Sequence, residues 1–317
     1  MSLHPQASAL LKMMESNGMP ALEEQSPQDA RQMYIQSSQI LAKPVKVVHT
    51  EDRLIKGYEG DILIRIYSPE GDGPKPALVY YHGGGWVIGN IETHDALCHS
   101  LAAISECKVI SVDYSLAPES KFPVAVEDAY LAVQWASDNA SELNIDKSSL
   151  AVGGDSAGGN LAAAVCYMAI DRKGPSIAYQ MLFYPSTGFE LTDSYVKYSE
   201  GYYLNKSTME WFRAQYLNNV EDTKNPLAAP MLIPEAETAL LPPAYIVTAE
   251  YDPLSDGGEA FSRKLKDAGV EVKYVCYSGM IHGFFCMTEV LEDGKKAVEN
   301  AALELKAHFA KVKDTTL

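Results

Sequence analysis

The chain of 317 residues is short of positive charge: 26 lysines and arginines stand against 42 aspartates and glutamates, a formal net charge of −16. Such an acidic surface repels phosphate backbones and offers no basic stripe to track them, which excludes nucleic acid as a partner. Cysteine is scarce too. The five cysteines, at 98, 107, 166, 276 and 286, form neither a Cys-x-x-Cys pair nor the even framework of a small stapled secreted domain. Reduced thiols and a cytoplasmic location are therefore expected. No uninterrupted apolar stretch is long enough to span a bilayer, and the first residues carry no apolar run behind a basic region. Neither a stable membrane anchor nor secretion is expected. Repeats and low-complexity linkers are also lacking.

What is present is the balance of a soluble globular protein, 47% hydrophobic and 21% charged, with length enough for one large α/β domain. Two helices are expected in the opening fifty residues, over 6–16 and after Ser26-Pro27, where serine caps and proline takes the first helical position. Apolar runs of strand length follow at 45–48, 54–58, 61–67, 77–81, 108–113, 149–153, 179–184, 245–249 and 272–277. From 77 onward strands alternate with helical periodicity. The alternation predicts a mostly parallel sheet of about eight strands, helices on both faces and an antiparallel pair at one edge. Residues 185–243 break the rhythm and predict an inserted substructure. Its aromatic clusters, Gly201-Tyr202-Tyr203 and Trp211 to Tyr216, either line a binding site or fill a satellite core.

Gly154-Asp155-Ser156-Ala157-Gly158 follows a short strand and opens a helix. A serine on so tight a turn has a strained backbone, and small residues two positions to either side give the neighbouring chain room. A phosphate-cradling turn is the alternative, but no Gly-x-Gly-x-x-Gly register fits, and Gly158-Gly159-Asn160 lacks the lysine of a P-loop. A serine hydroxyl needs a base, and on this kind of fold the order is serine, acid, histidine, which leaves His282 and His308. His308 sits on the C-terminal helix as a surface residue, whereas His282 lies on a loop at the strand-end edge that also carries Ser156. His282 is therefore the expected base. Glu250 and Asp252, where the strand at 245–249 gives way to a turn, are equally placed to orient it. His82-Gly83-Gly84-Gly85-Trp86 follows another strand. Its glycines can turn backbone amides toward a developing oxyanion, and the hole is expected from the amides of Gly83, Gly84 and Ala157.

Together these residues resemble the bacterial hormone-sensitive-lipase-like carboxylesterases of the α/β-hydrolase superfamily, from about Pro76 to the C-terminal helix. Asp113-Tyr114-Ser115-Leu116-Ala117-Pro118-Glu119, Asp252-Pro253-Leu254 and His282-Gly283-Phe284 complete the pattern in the family's order. The resemblance selects Asp252 over Glu250. It implies an α/β-hydrolase fold with a cap, made here of residues 1–45 and an insertion within about 185–225 on a catalytic domain spanning 46–317. Met13, Met14, Met19, Met33 and Tyr34 of the cap offer adaptable apolar surface for an acyl pocket. Trp86, Asp155, Tyr184 and Phe284 are the further residues expected to contact substrate. Two arginines common in the family are replaced by Ser115 and Ser255, which removes an ion pair expected to support the acid-bearing loop.

The implied activity is hydrolysis of short to medium acyl esters, small-molecule substrates, through a Ser156–His282–Asp252 triad and an acyl-enzyme, with neither metal nor organic cofactor. Amides, thioesters and lactones are the alternative substrates for the same triad. A ligand receptor without catalysis is the alternative of a different class, disfavoured by the intact triad. Some relatives dimerise through the last strand, here 272–277.

Overall fold

The computed structural model describes residues 2–18, 20–43 and 48–315, and the side chains as far as 311. In chain order the elements are α1 (Pro5–Ser16), α2 (Pro27–Leu41), β1 (His49–Lys56), β2 (Asp61–Ser68), β3 (Lys75–Tyr81), α3 (Asp95–Ser105), β4 (Lys108–Asp113), α4 (Val124–Asp138) and β5 (Ile145–Asp155). There follow α5 (Ala157–Asp171), β6 (Tyr179–Phe183), α6 (Asp193–Lys197), α7 (Lys206–Tyr216), α8 (Glu235–Thr238), β7 (Ala244–Tyr251), α9 (Ser255–Asp267), β8 (Val272–Ile281) and α10 (Glu292–Thr315). Of the strand expected at 45–48, residues 45–47 lie outside the described residues and Val48 is in a bend.

Local chemistry accounts for these boundaries. Ser26 caps α2 by accepting from the Asp29 amide at 3.2 Å, with Pro27 in the first turn. β5 begins four residues before the expected strand, because Asp146, Lys147 and Ser148 carry no apolar signature although the segment pairs with β3 through Ile145 and Lys75. β8 runs past the apparent turn at Ser278-Gly279. There Gly279 adopts φ +72° inside the strand, and its carbonyl accepts from the His4 amide at 3.0 Å.

The eight strands form one sheet in the order β1-β2-β4-β3-β5-β6-β7-β8. β2 pairs antiparallel with both β1 and β4, and the pairs from β4 through to β8 are parallel. Thus β2 alone runs against the others. The parallel strands β3 to β7 are buried almost throughout, as strands covered on both faces must be. One face packs against α4, α5 and α9, the other against α1, α3 and α10. Among the described residues no helix is long and apolar enough to cross a membrane.

This direction sense brings the carboxyl ends of β3, β5, β7 and β8 to one edge, the edge where parallel α/β sheets bind ligands. Above it lie α1, α2 and the excursion between β6 and β7. Arg31 ties α2 to the sheet loops: its Nε donates to the Val87 carbonyl at 2.8 Å, and one Nη to the Ala117 carbonyl at 2.9 Å and to Glu119 at 2.6 Å. Arg31→Ala strands these acceptors, so it is expected to lower unfolding stability by roughly 1.5–3 kcal/mol. Urea denaturation of the variant beside the wild type measures it.

Candidate active site

Ser156 stands between β5 and α5 with φ +55° and ψ −116°, a conformation L-residues rarely adopt. Close packing explains the flanking glycines. A Cβ at Gly154 would lie 2.4 Å from the Tyr81 carbonyl oxygen, and one at Gly158 would lie 1.9 Å from that same atom. The turn is further held by the Ser156 amide, which donates to the Phe183 carbonyl at 2.9 Å.

His282 follows β8 directly and Asp252 follows β7. The His282 Nε2 lies 2.9 Å from Ser156 Oγ and its Nδ1 lies 2.7 Å from Asp252 Oδ2. A carboxylate only accepts, so Nδ1 carries the ring proton and Nε2 presents a lone pair to the serine hydroxyl. Asp252 is fully buried, and its other oxygen accepts from the Leu254 amide at 2.8 Å. Glu250 is drawn to β8, where it accepts from Ser278 Oγ at 2.5 Å and from the Gly279 amide at 2.8 Å. Strand position thus separates the two acids that sequence mechanics left level. Support for the acid loop comes from α6 rather than from arginine. Ser194 donates its hydroxyl to the Pro253 carbonyl at 2.9 Å, and its amide donates to Asp256 at 2.7 Å. Ser115 instead donates its amide to Asp128 at 2.9 Å.

Two expected substrate contacts are corrected. Tyr184 and Phe284 are fully buried and do not border the cavity. Tyr184 sits edge-on to the His282 ring at 4.8 Å, and Phe284 packs behind it at 5.6 Å, so both brace the imidazole from the protein side. His308 is also not a plain surface residue; it is half-buried and stacks on Tyr179 at 3.8 Å.

The glycine loop requires a further correction. The Gly83 amide donates inward to Asp155 Oδ1 at 2.9 Å, and Gly83 does not border the cavity. Gly84 and Gly85 do, together with Ser156 and Ala157. Their φ angles of +120° and +57° turn this stretch of backbone in a way that local sequence could not reveal. Among the described residues no group accepts from the Gly84, Gly85 or Ala157 amide. A Cβ at Gly84 would lie 2.1 Å from the Ile88 carbonyl oxygen, and one at Gly85 would lie 2.2 Å from the Phe212 ring.

Asp155 borders the cavity, but its carboxylate is occupied from within. It accepts from the Tyr80 hydroxyl at 2.7 Å and from the Gly83 amide, and lies 3.1 Å from His94 Nε2. His94 was not anticipated from sequence, since no local motif marks it. Thr93 Oγ1 gives its one proton to the Asn90 carbonyl at 2.8 Å, so His94 Nδ1, 2.8 Å from that oxygen, must donate to it. Nε2 faces the Asp155 carboxylate, which favours a protonated ring, and also lies 3.3 Å from the Gly83 amide. Burial works against that charge, but Cys286 and Asp155 beside it raise the pKa well above the usual value. Burial likewise opposes the Asp155 carboxylate, which His94 and Tyr80 nevertheless hold below its usual range. His82 is the opposite case: burial, then the neighbouring His94, push it down to about 3. The neutral His82 ring stacks on Tyr114 at 4.3 Å, and the Tyr114 hydroxyl donates to the His82 carbonyl at 2.8 Å.

A cavity of about 1270 Å³ opens over Ser156 and His282. Met14 of α1 and Met33 and Tyr34 of α2 line it, whereas Met13 is exposed elsewhere and Met19 lies outside the described residues. The helical excursion contributes beyond residue 225, as Met231 and Leu232 also border the space. The aromatic clusters divide between the two expected roles. Tyr203 and Phe212 face the cavity, while Tyr216 is buried and stacks on Trp86 at 4.4 Å with the rings 3° from parallel. Trp86 borders the cavity, as expected.

A parallel sheet whose carboxyl ends bring an elbow serine, a histidine and a buried aspartate into hydrogen-bond contact defines an α/β-hydrolase. The chain belongs to the alpha/beta hydrolase fold family, whose model matches residues 78–286, in its hormone-sensitive-lipase-like branch, and it is a carboxylic ester hydrolase. It is 41% identical to the carboxylic ester hydrolase LipN of Mycobacterium tuberculosis over 281 residues, 86% of this chain and 74% of that protein. It is 35% identical to an ethyl acetate hydrolase of Pseudomonas putida, over 98% of this chain and all of that protein (100%). Among solved structures, an ester hydrolase from the metagenome of Lake Arreo superposes with a TM-score of 0.94 at 41% identity, covering 97% of this chain and 99% of that one.

The neutral His82 has a consequence for pH. Unfolded, its imidazole takes a proton near 6.5; folded, it refuses one down to about 3, so the stability it contributes is lost as pH falls through that interval. His82→Gln is expected to flatten the decline of the urea midpoint between those pH values relative to wild type.

Proposed function

We propose that Ser156 is the nucleophile, His282 the general base and Asp252 the residue that orients the base. The observation that carries this reading is the unbroken pair of contacts, 2.9 Å from serine to imidazole and 2.7 Å from imidazole to carboxylate. Ser156 Oγ attacks the ester carbonyl while His282 Nε2 takes its proton, and Asp252 stabilises the imidazolium so formed. The oxyanion develops toward the amides of Gly84, Gly85 and Ala157. Removing a donor of this kind costs on the order of 3 kcal/mol of transition-state stabilisation. The imidazolium returns its proton to the leaving alcohol, and an acyl-Ser156 ester remains. Water enters, gives a proton to His282 and attacks the acyl carbon, releasing the acid and regenerating the serine.

We infer short to medium acyl esters as substrates. The apolar lining from Met14, Met33 and Phe212 and the closure by cap helices favour small soluble esters, and a relative aligned over 98% of this chain is named for ethyl acetate. A cytoplasmic location is inferred from the free cysteines. Any homodimer is assigned to β8, whose outer edge ends the sheet.

Ser156→Ala is expected to lower kcat for p-nitrophenyl butyrate by about 10⁴-fold or more. A fluorophosphonate should label the wild type at one serine per chain and leave the variant unlabelled. Substantial turnover by pure Ser156→Ala protein would overturn the assignment.

A further inference from the structure

Behind the elbow, three groups from three separate parts of the chain converge: His94 just before α3, Asp155 at the end of β5, and Cys286 in the turn after β8. Their nitrogen, oxygen and sulfur donor atoms all lie within 4.8 Å of one another. Neither His94 nor Cys286 has a part in the hydrolytic steps above. We propose that this cluster binds a thiophilic divalent cation of the zinc class, and that its occupancy inhibits ester hydrolysis.

Donor chemistry and spacing support the assignment. One thiol, one imidazole and one carboxylate are ligand types that tetrahedral zinc accepts, at metal–ligand lengths of about 2.0–2.3 Å, which places neighbouring donors roughly 3.5 Å apart. His94 Nε2 and the Asp155 oxygens are already at that separation, 3.1 and 3.4 Å. Cys286 Sγ lies within 4.8 Å of both. The orientation of the imidazole is set in advance, since Nδ1 donates to Thr93 Oγ1 at 2.8 Å and so turns Nε2 toward the cluster, the arrangement usual for a metal-bound histidine. His94 and Asp155 are buried, whereas Asp155 and Cys286 border the substrate cavity, which leaves an entry path and a fourth position on the open side.

A divalent cation is neutralised there by the Asp155 carboxylate and by a Cys286 thiolate whose proton leaves as the ion binds. Inhibition follows from position. The Gly83 amide is directed at both the Asp155 carboxylate, at 2.9 Å, and His94 Nε2, at 3.3 Å, so a cation that draws on these two groups loosens the loop that carries Gly84 and Gly85.

The test uses the chelator-treated, dialysed full chain, with Cd²⁺ as the optical probe and Zn²⁺ as competitor. An ultraviolet cadmium–thiolate charge-transfer band saturating at one ion per chain is expected, displaced by Zn²⁺, with Zn²⁺ inhibiting p-nitrophenyl butyrate hydrolysis. Cys286→Ser should lose the band and weaken Zn²⁺ inhibition by at least about tenfold. Cys276→Ser, which alters the exposed thiol, should retain both. If Cys286→Ser does not fold, methanethiosulfonate capping of Cys286 in folded Cys276→Ser protein must abolish the band instead. Absence of a saturable band, its survival in Cys286→Ser or after capping, or its loss in Cys276→Ser overturns the site. Zn²⁺ inhibition undiminished in Cys286→Ser overturns the proposed mode of inhibition. The band is read without turnover, so its failure is distinct from failure of the esterase reading on which the inhibition depends.

Discussion

Everything at this site depends on how closely the carboxyl ends of β3 and β5 approach one another. The Tyr81 carbonyl lies where a side chain at either elbow glycine would begin. That approach has two results. It forces Ser156 into its strained turn, so the hydroxyl projects from the strand end instead of lying along it. It also brings the Gly83 amide against Asp155, so the residue before Ser156 holds the first amide of the glycine loop. Elbow and loop are thus one mechanical unit, completed by the buried Asp155–His94 pair.

Much of this was legible in the sequence. The buried parallel strands show as continuous apolar runs, and β4 spans the expected residues. The elbow serine and the late histidine stand out because each follows a strand and is set in distinctive neighbours. What was not legible has a common cause, namely that direction is a property of backbone angles and strand register. The sequence shows three consecutive glycines but not which amides face the cavity; Gly83 turns inward while Gly84 and Gly85 border the space. Tyr184 and Phe284 lie beside the right motifs and point into the protein. His94 and Cys286 could not be joined by any local pattern, since the fold alone brings them together. The start of β5 escaped notice because strand pairing there involves polar residues.

Segments far apart in the sequence share one cavity. Residues from α1, α2 and the β6–β7 excursion border one cavity. Arg31 fixes α2 by contacts to backbone carbonyls as well as to Glu119, so its hold depends on the path of the chain more than on any one partner side chain. In the same way, the acid loop is fastened by Ser194 and Asp256, where the resemblance implied support from an arginine ion pair. A different set of short-range hydrogen bonds serves the same loop.

The Phe212 ring of α7 rests against Gly85, where even a methyl group would collide with it. The same ring borders the cavity, so one side chain is both a wall of that space and a strut beneath the glycine loop. The shape of the cavity and the position of the loop are coupled by contact. A lineage that reshapes this helix to admit bulkier molecules disturbs the loop in the same stroke.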